Sequence, residues 1–179
     1  MRKHDADLGR ARLFAQNRGD DLAELRAEKP SDSYLKLRIG IPVKPTESVR
    51  VFGYPLAGAL SSSGNTTLGN VAALVGLGDD SRYIQISASV QPGNSGDPVL
   101  DEASRLIGVI KGKLDALKVA RITGDIPQNV NFAIRASMVA NFLEANRVAY
   151  EVASNSATLP NTQQAERAEA ASVQLECRK

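Results

Sequence analysis

Short apolar runs recur along this chain at roughly ten-residue spacing, each closed by glycine, proline, asparagine or aspartate. That rhythm restricts the fold more than any other feature, because it indicates an all-β barrel or sandwich rather than βαβ units. Residues 8–14 and 22–25 read as two short strands around the turn Asn17-Arg18-Gly19-Asp20. Residues 34–39 alternate apolar with basic side chains, the pattern of an edge strand. Residues 49–54 form a strand stopped by Pro55, and residues 56–67 are small and polar, as a surface loop would be. Strand character returns at 68–77, turns at 78–81, and resumes over 83–90, 99–100, 105–110 and 130–134. A charged stretch, 111–128, interrupts the series and has room for a helical turn. One helix is expected next, with Ser137 as N-cap and Val139, Phe142 and Leu143 covering a barrel end.

Composition bounds the rest. Hydrophobic residues make up 42% of the 179 positions, and tryptophan is absent, so the core must be built from Val, Leu, Ile and Ala. A formal net charge of +2 is too small to argue for nucleic acid or an anionic membrane as partner. No apolar run reaches the roughly 18 residues of a spanning helix. Residues 1–7 are basic at the start with no apolar stretch behind them, so no signal peptide is expected there. The single cysteine, Cys177, cannot form an intrachain disulfide. Beyond residue 150 the chain becomes linker-like, with a weak helix over 162–171 and a short strand over 173–175 expected at its end.

Chemistry concentrates in Gln91-Pro92-Gly93-Asn94-Ser95-Gly96-Asp97-Pro98. Glycines on both sides of Ser95 let the backbone take positive φ and leave space above the hydroxyl. A nucleophilic serine needs that arrangement: an exposed Oγ, with backbone amides aimed at a developing oxyanion. Taken alone, the same residues are those of an ordinary strand-connecting turn.

Three segments together go further. Residues 93–100 resemble the Gly-(Asp/Asn)-Ser-Gly-Gly-Pro motif of trypsin-like and HtrA-like serine endopeptidases. About 75 residues earlier, Asp21-Leu22-Ala23-Glu24-Leu25 is similar to the segment that carries the triad aspartate of that family. About 35 residues after the serine, Asn131-Phe132-Ala133-Ile134 resembles the strand lining the cleft of HtrA-like members. The resemblance covers roughly residues 5–148. It implies a chymotrypsin-like double β-barrel: a partial N-terminal barrel and connector over 1–45, a complete C-terminal barrel with its helix over 46–148, and a linker and weakly structured tail over 149–179.

The implied roles follow residue by residue. Ser95 is the acyl-transfer nucleophile, and the amides of Gly93 and Ser95 form the oxyanion hole. Asp21 orients the base, with its neighbour Asp20 as the alternative. Ser89, Asn131, Phe132 and Ala133 bind substrate. Ser89 supplies no charge, which favours a small or apolar residue before the scissile bond over Arg or Lys. Asn94 is an amide, so it cannot form the ion pair with a newly cut amino terminus that trypsin uses. Asp97 stands where the family has glycine, and either burdens the nucleophile turn with a carboxylate or lies harmlessly behind it. Residues 56–67 correspond to a regulatory loop or to a plain hairpin. The resemblance implies no cofactor, no metal and a polypeptide partner. An extracytoplasmic location follows only with an upstream signal, and oligomeric state is left open.

The general base is missing from this pattern. His4 is the sole histidine, and it precedes Asp21 by seventeen residues, against roughly 45 between base and aspartate in the chymotrypsin order. His4 is therefore expected to be a surface residue, and the family's histidine to lie upstream of Met1. Without a base, only the oxyanion hole and binding act, about 10³–10⁴ over water. Two functions stand: a serine endopeptidase whose recorded start omits the histidine segment, or a catalytically dead module in which a peptide adds as a strand at 131–134.

Overall fold

The structure, a computed structural model, describes residues 9–29, 31–55, 64–111 and 130–175. Strands β1 (Ala11–Asn17) and β2 (Leu22–Ala27) pair as an antiparallel hairpin. Strands β3 (Ser48–Gly53), β4 (Asn65–Ala73), β5 (Tyr83–Ile86), β6 (Pro98–Leu100), β7 (Leu106–Ile110) and β8 (Asn131–Arg135) close into a barrel. Their order around it is β3-β4-β5-β8-β7-β6, all pairs antiparallel. Helices α1 (Ala136–Ala145) and α2 (Asn161–Ala171) follow. The all-β class and the C-terminal helix expected from the sequence are present.

Alternation along the strands separates an inner core from two outer ones. Val49 and Val51 of β3, Val71 of β4, Ile84 and Ile86 of β5, Val99 of β6 and Ala133 of β8 fill the barrel. Ile84, Ile86, Val99 and Ala133 are wholly buried, so β-branched and small residues do the packing in a chain with few aromatics. The side chains between them point outward. Phe52, Tyr54, Leu100 and Leu106 meet Leu37, Ala140 and Ala168 on one wall. Tyr83, Phe132 and Ile134 meet Leu22 of the hairpin and Met138 and Val139 of α1 on another. A closed barrel removes the exposed strand edges that a sheet of this size would otherwise present.

Several expectations require correction. Residues 34–39 do not form a strand: Leu37 alone makes parallel bridges to Leu106 and Val152, because its amide bonds Glu151 while the next amide, Arg38, bonds Leu106. Residues 65–67 belong to β4 rather than to the loop, and β5 stops at Ile86, four residues short of Val90. Ser137 is not the N-cap. β8 passes directly into α1, so the cap falls on Arg135, which gives no side-chain cap bond. Residues 173–175 are irregular.

The segment after residue 149 is more firmly packed than its composition suggests. Ala153 donates to Leu37 and Leu159 to Glu102. Helix α2 then lies against β3, where buried Arg50 donates to Gln164 Oε1 at 3.2 Å and to Asn161 Oδ1 at 2.9 Å. An outward-facing arginine on a barrel strand is thereby covered by amides of the tail. His4, residues 56–63 of the loop, residues 112–128 of the charged stretch and Cys177 lie outside the described residues.

Candidate active site

Ser95 sits on the connection between β5 and β6, exposed to solvent. Two short turns in succession put it there. The Asn94 amide donates to Gln91 O at 3.1 Å, and the Asp97 amide to Asn94 O at 3.0 Å. Gly93 and Gly96 have φ of 103° and 92°, a region costly for any residue with a Cβ. The end of the turn is anchored to the barrel: Gly96 donates to Ile110 O at 2.9 Å, and Ile110 to Asp97 O at 2.8 Å. The amides of Gly93 and Ser95 have no acceptor among the described residues, and the Ser95 hydroxyl has no partner there.

Asn94 is buried and works inside the turn. Its Oδ1 accepts from the Gln91 amide at 2.7 Å, and its Nδ2 donates to Asp97 Oδ2 at 2.6 Å. Asp97 therefore does not point harmlessly away. Its half-buried carboxyl leans on the backbone of Gly53, where a Cβ would lie 1.6 Å from Oδ2. Burial pushes the Asp97 carboxyl up to about 7, against the opposing pull of the Asn94 amide. Neither Gly53 nor the bond from Asn94 is visible in the motif, since 44 positions separate residues 53 and 97.

Asp21 lies at the far end of the hairpin turn, exposed and in the left-handed region with φ 58°. Asp20 is committed elsewhere. It accepts from Asn17 Nδ2 at 2.6 Å and pairs with Arg82 Nη1 at 3.0 Å. Asp21 has no hydrogen-bond partner among the described residues, so of the two aspartates it is the one left available. Leu22, next to it, packs on Tyr83 and Phe132, which seats the hairpin against β5 and β8. Ser95 and Asp21 make no direct bond.

The expected substrate residues divide. Ser89 is exposed, and its carbonyl accepts from Thr67 Oγ1 at 3.0 Å. Asn131 is half-buried, and its Nδ2 donates to Ala88 O at 2.8 Å, joining the start of β8 to the segment before the Ser95 turn. Phe132 and Ala133 are buried, at 8% and 0% exposure. β8 is paired with β5 on one side and β7 on the other, and Lys111 donates to Phe132 O. Strand addition needs an open edge, so residues 132–134 offer a peptide neither side chains nor main-chain pairing. A recess of about 430 Å³ is lined by Arg50, Asn70, Asn161 and Gln164 among others, but not by Ser89, Asn131, Phe132 or Ala133. Among the described residues, no group of three or more His, Cys, Asp or Glu could hold a metal.

The chain is similar to known proteins in sequence and in fold. The trypsin-like peptidase domain family matches residues 2–109. The uncharacterized protein y4bJ of Sinorhizobium fredii is 48% identical over 167 residues, 93% of this chain and 26% of that protein. Protease Do-like 2 of Arabidopsis thaliana, a chloroplast protein, is 31% identical over 74% of this chain and 21% of its own length. This chain therefore spans about a quarter of the length of the curated relatives it matches. A serine endoprotease of Yersinia pestis, known from its crystal structure, has the same fold at 20% identity, with a TM-score of 0.60 over 76% of this chain and 43% of its own.

Proposed function

Because the chain belongs to the trypsin-like peptidase domain family, we propose that it is the nucleophile-bearing part of a serine endopeptidase, cleaving peptide bonds through an acyl-enzyme on Ser95. The observation that carries this reading is the pair of amides, Gly93 and Ser95, without acceptors among the described residues beside an exposed hydroxyl. Backbone donors held in place before the reaction cost no reorganisation as charge builds on the carbonyl oxygen. Each is worth about 3 kcal/mol of barrier. Asp21 orients an imidazole and stabilises it once protonated. Ser89 brings no charge to the cleft, which suits a small or apolar residue before the scissile bond.

The reaction needs a base to take the Ser95 proton, and the sole histidine of the sequence, His4, has the wrong spacing from Asp21 for that role. In this reading the 179-residue chain is inactive unless a base is supplied from outside it. Strand addition at β8, on which the peptide-binding alternative relied, is opposed by the paired edges described above.

A fluorophosphonate serine probe, with and without added imidazole, tests the proposal by intact mass and peptide mapping. The expected result is a single adduct on Ser95 that forms only with imidazole and vanishes in Ser95→Ala. An adduct elsewhere, or none at Ser95 in imidazole, overturns it.

A further inference from the structure

We propose that Asp97 is a positioning residue for Ser95: seated against the backbone of Gly53 and bonded to the side chain of Asn94, its carboxyl braces the nucleophile turn and sets the charge beside the oxyanion amides. The inference rests on the reading of Ser95 as nucleophile. The bracing itself is geometric. From Gln91 N to Asn94 Oδ1 at 2.7 Å, and from Asn94 Nδ2 to Asp97 Oδ2 at 2.6 Å, side-chain bonds run the length of the turn. Main-chain bonds close both of its halves. Ser95 lies inside this loop of bonds and takes no part in it.

Gly53 supplies the second, independent observation. At the end of β3 a Cβ would fall 1.6 Å from Asp97 Oδ2 and 2.1 Å from its carboxyl carbon. The niche that glycine leaves is filled by this carboxyl. A carboxyl at 97 and a glycine beside it at the end of the neighbouring strand make a matched pair.

The surroundings of Asp97 decide its charge. Asn94 is its one hydrogen-bond donor to the side chain among the described residues. Just beyond the end of β3 the titratable group facing it is the Tyr54 phenol, whose own pKa is raised by burial first, then by Glu169 of α2 and by Asp97. From β7 it meets the Ile110 main chain. No described cation offsets it, which is why burial carries its midpoint to about 7. Below that pH the carboxyl is neutral. Above it, a negative charge stands two residues from the Ser95 amide, where it opposes an oxyanion and pulls harder on Asn94.

A pH titration of the whole chain by NMR decides the matter without requiring catalysis. The side-chain carboxyl carbon of Asp97 is expected to titrate near pH 7, with the Gly93 and Ser95 amide resonances moving at the same midpoint. Asp97→Asn, or Asp97→Gly should the first not fold, removes the step from both amides. A midpoint near the ordinary carboxylate value of about 4, amides that do not follow Asp97, or a step that survives in the variants overturns the inference. The wild-type titration is decisive by itself if neither variant folds. Failure here with Ser95 still labelled by the fluorophosphonate rejects the bracing alone. A correct titration with Ser95 unlabelled rejects the nucleophile and leaves the bracing intact.

Discussion

Arg82 Nη1 stands 3.0 Å from Asp20 Oδ1 and 3.2 Å from the Gly19 carbonyl, so a side chain beside β5 grips the tip of the β1–β2 hairpin next to Asp21. The same guanidinium holds Asp80 at 2.7 Å. Through this grip the hairpin, which has only Leu22 in the shared apolar cluster, keeps its aspartate turn against the barrel.

Removing the grip should loosen the hairpin and spare the barrel. In Arg82→Ala, amide exchange in β1 and β2 is expected to accelerate while β5 and β8 keep their protection. Asp80, which hydrogen bonds from Arg82 hold down at about 2, should climb back toward the ordinary carboxylate range. Hydrogen exchange followed by NMR reads the first, and an NMR pH titration of the Asp80 carboxyl carbon reads the second. Unchanged hairpin protection would contradict this role.

Gly53 and Asp97 should be energetically coupled. Gly53→Ala forces a methyl group into the carboxyl, an overpacking that typically costs about 1–3 kcal/mol. In an Asp97→Gly background the same methyl finds space, and most of that cost should disappear. Denaturant unfolding of the two single variants and the double variant gives the coupling directly. Additive losses would show that the two residues do not share the niche.

Stability should fall as pH rises toward neutrality. Asp97 ionises near 3.8 in the unfolded chain and at about 7 in the fold. Between those values the folded protein holds a proton that the unfolded one has released, so raising the pH in that window favours unfolding. Above about 7 this contribution is constant. Thermal melts from pH 4 to 8 should show the decline in the wild type, and Asp97→Asn should flatten it.

Asp101 is a buried carboxylate with a donor on every side. Asp101 accepts from Arg105 Nε at 2.7 Å, from Arg38 Nη1 at 3.2 Å, and from the amides of Ala103 and Arg105. Arg38 also bonds Glu47 and the Pro42 carbonyl, tying the connector to the barrel. Asp101→Ala leaves two buried guanidinium groups short of a partner and should cost about 3–5 kcal/mol, read as a drop in the denaturant midpoint. A loss under about 1 kcal/mol would mean that Glu47 alone suffices for Arg38.

The barrel was largely legible in the sequence because its signals are local. Val49 and Val51, or Ile84 and Ile86, announce a strand face by alternation, and Gly, Pro and Asp mark where each strand stops. The turn that carries Ser95 was legible for the same reason, being eight contiguous residues. What escaped depends on partners distant in the chain. Arg50 reads as a solvent-facing charge until Asn161 and Gln164 cover it. Asp97 reads as an intruder until Gly53 is seen opposite it. Asn131-Phe132-Ala133-Ile134 reads as a cleft-lining strand, and nothing in those four residues says that β5 and β7 take both its edges. Ser137 has the chemistry of an N-cap, yet the strand before it continues two residues too close for it to act as one.

The convergence of the Gly93 and Ser95 amides on one reacting centre is tested most directly with a peptide boronic acid carrying a small apolar residue next to boron. With imidazole added to take the hydroxyl proton, attack by Ser95 Oγ converts trigonal boron to a tetrahedral adduct, whose oxygen stands where an oxyanion would. The account predicts a tetrahedral boron resonance and downfield shifts of the Gly93 and Ser95 amide protons, both absent in Ser95→Ala. Boron that stays trigonal at saturating ligand, with those two amides unmoved, would contradict it.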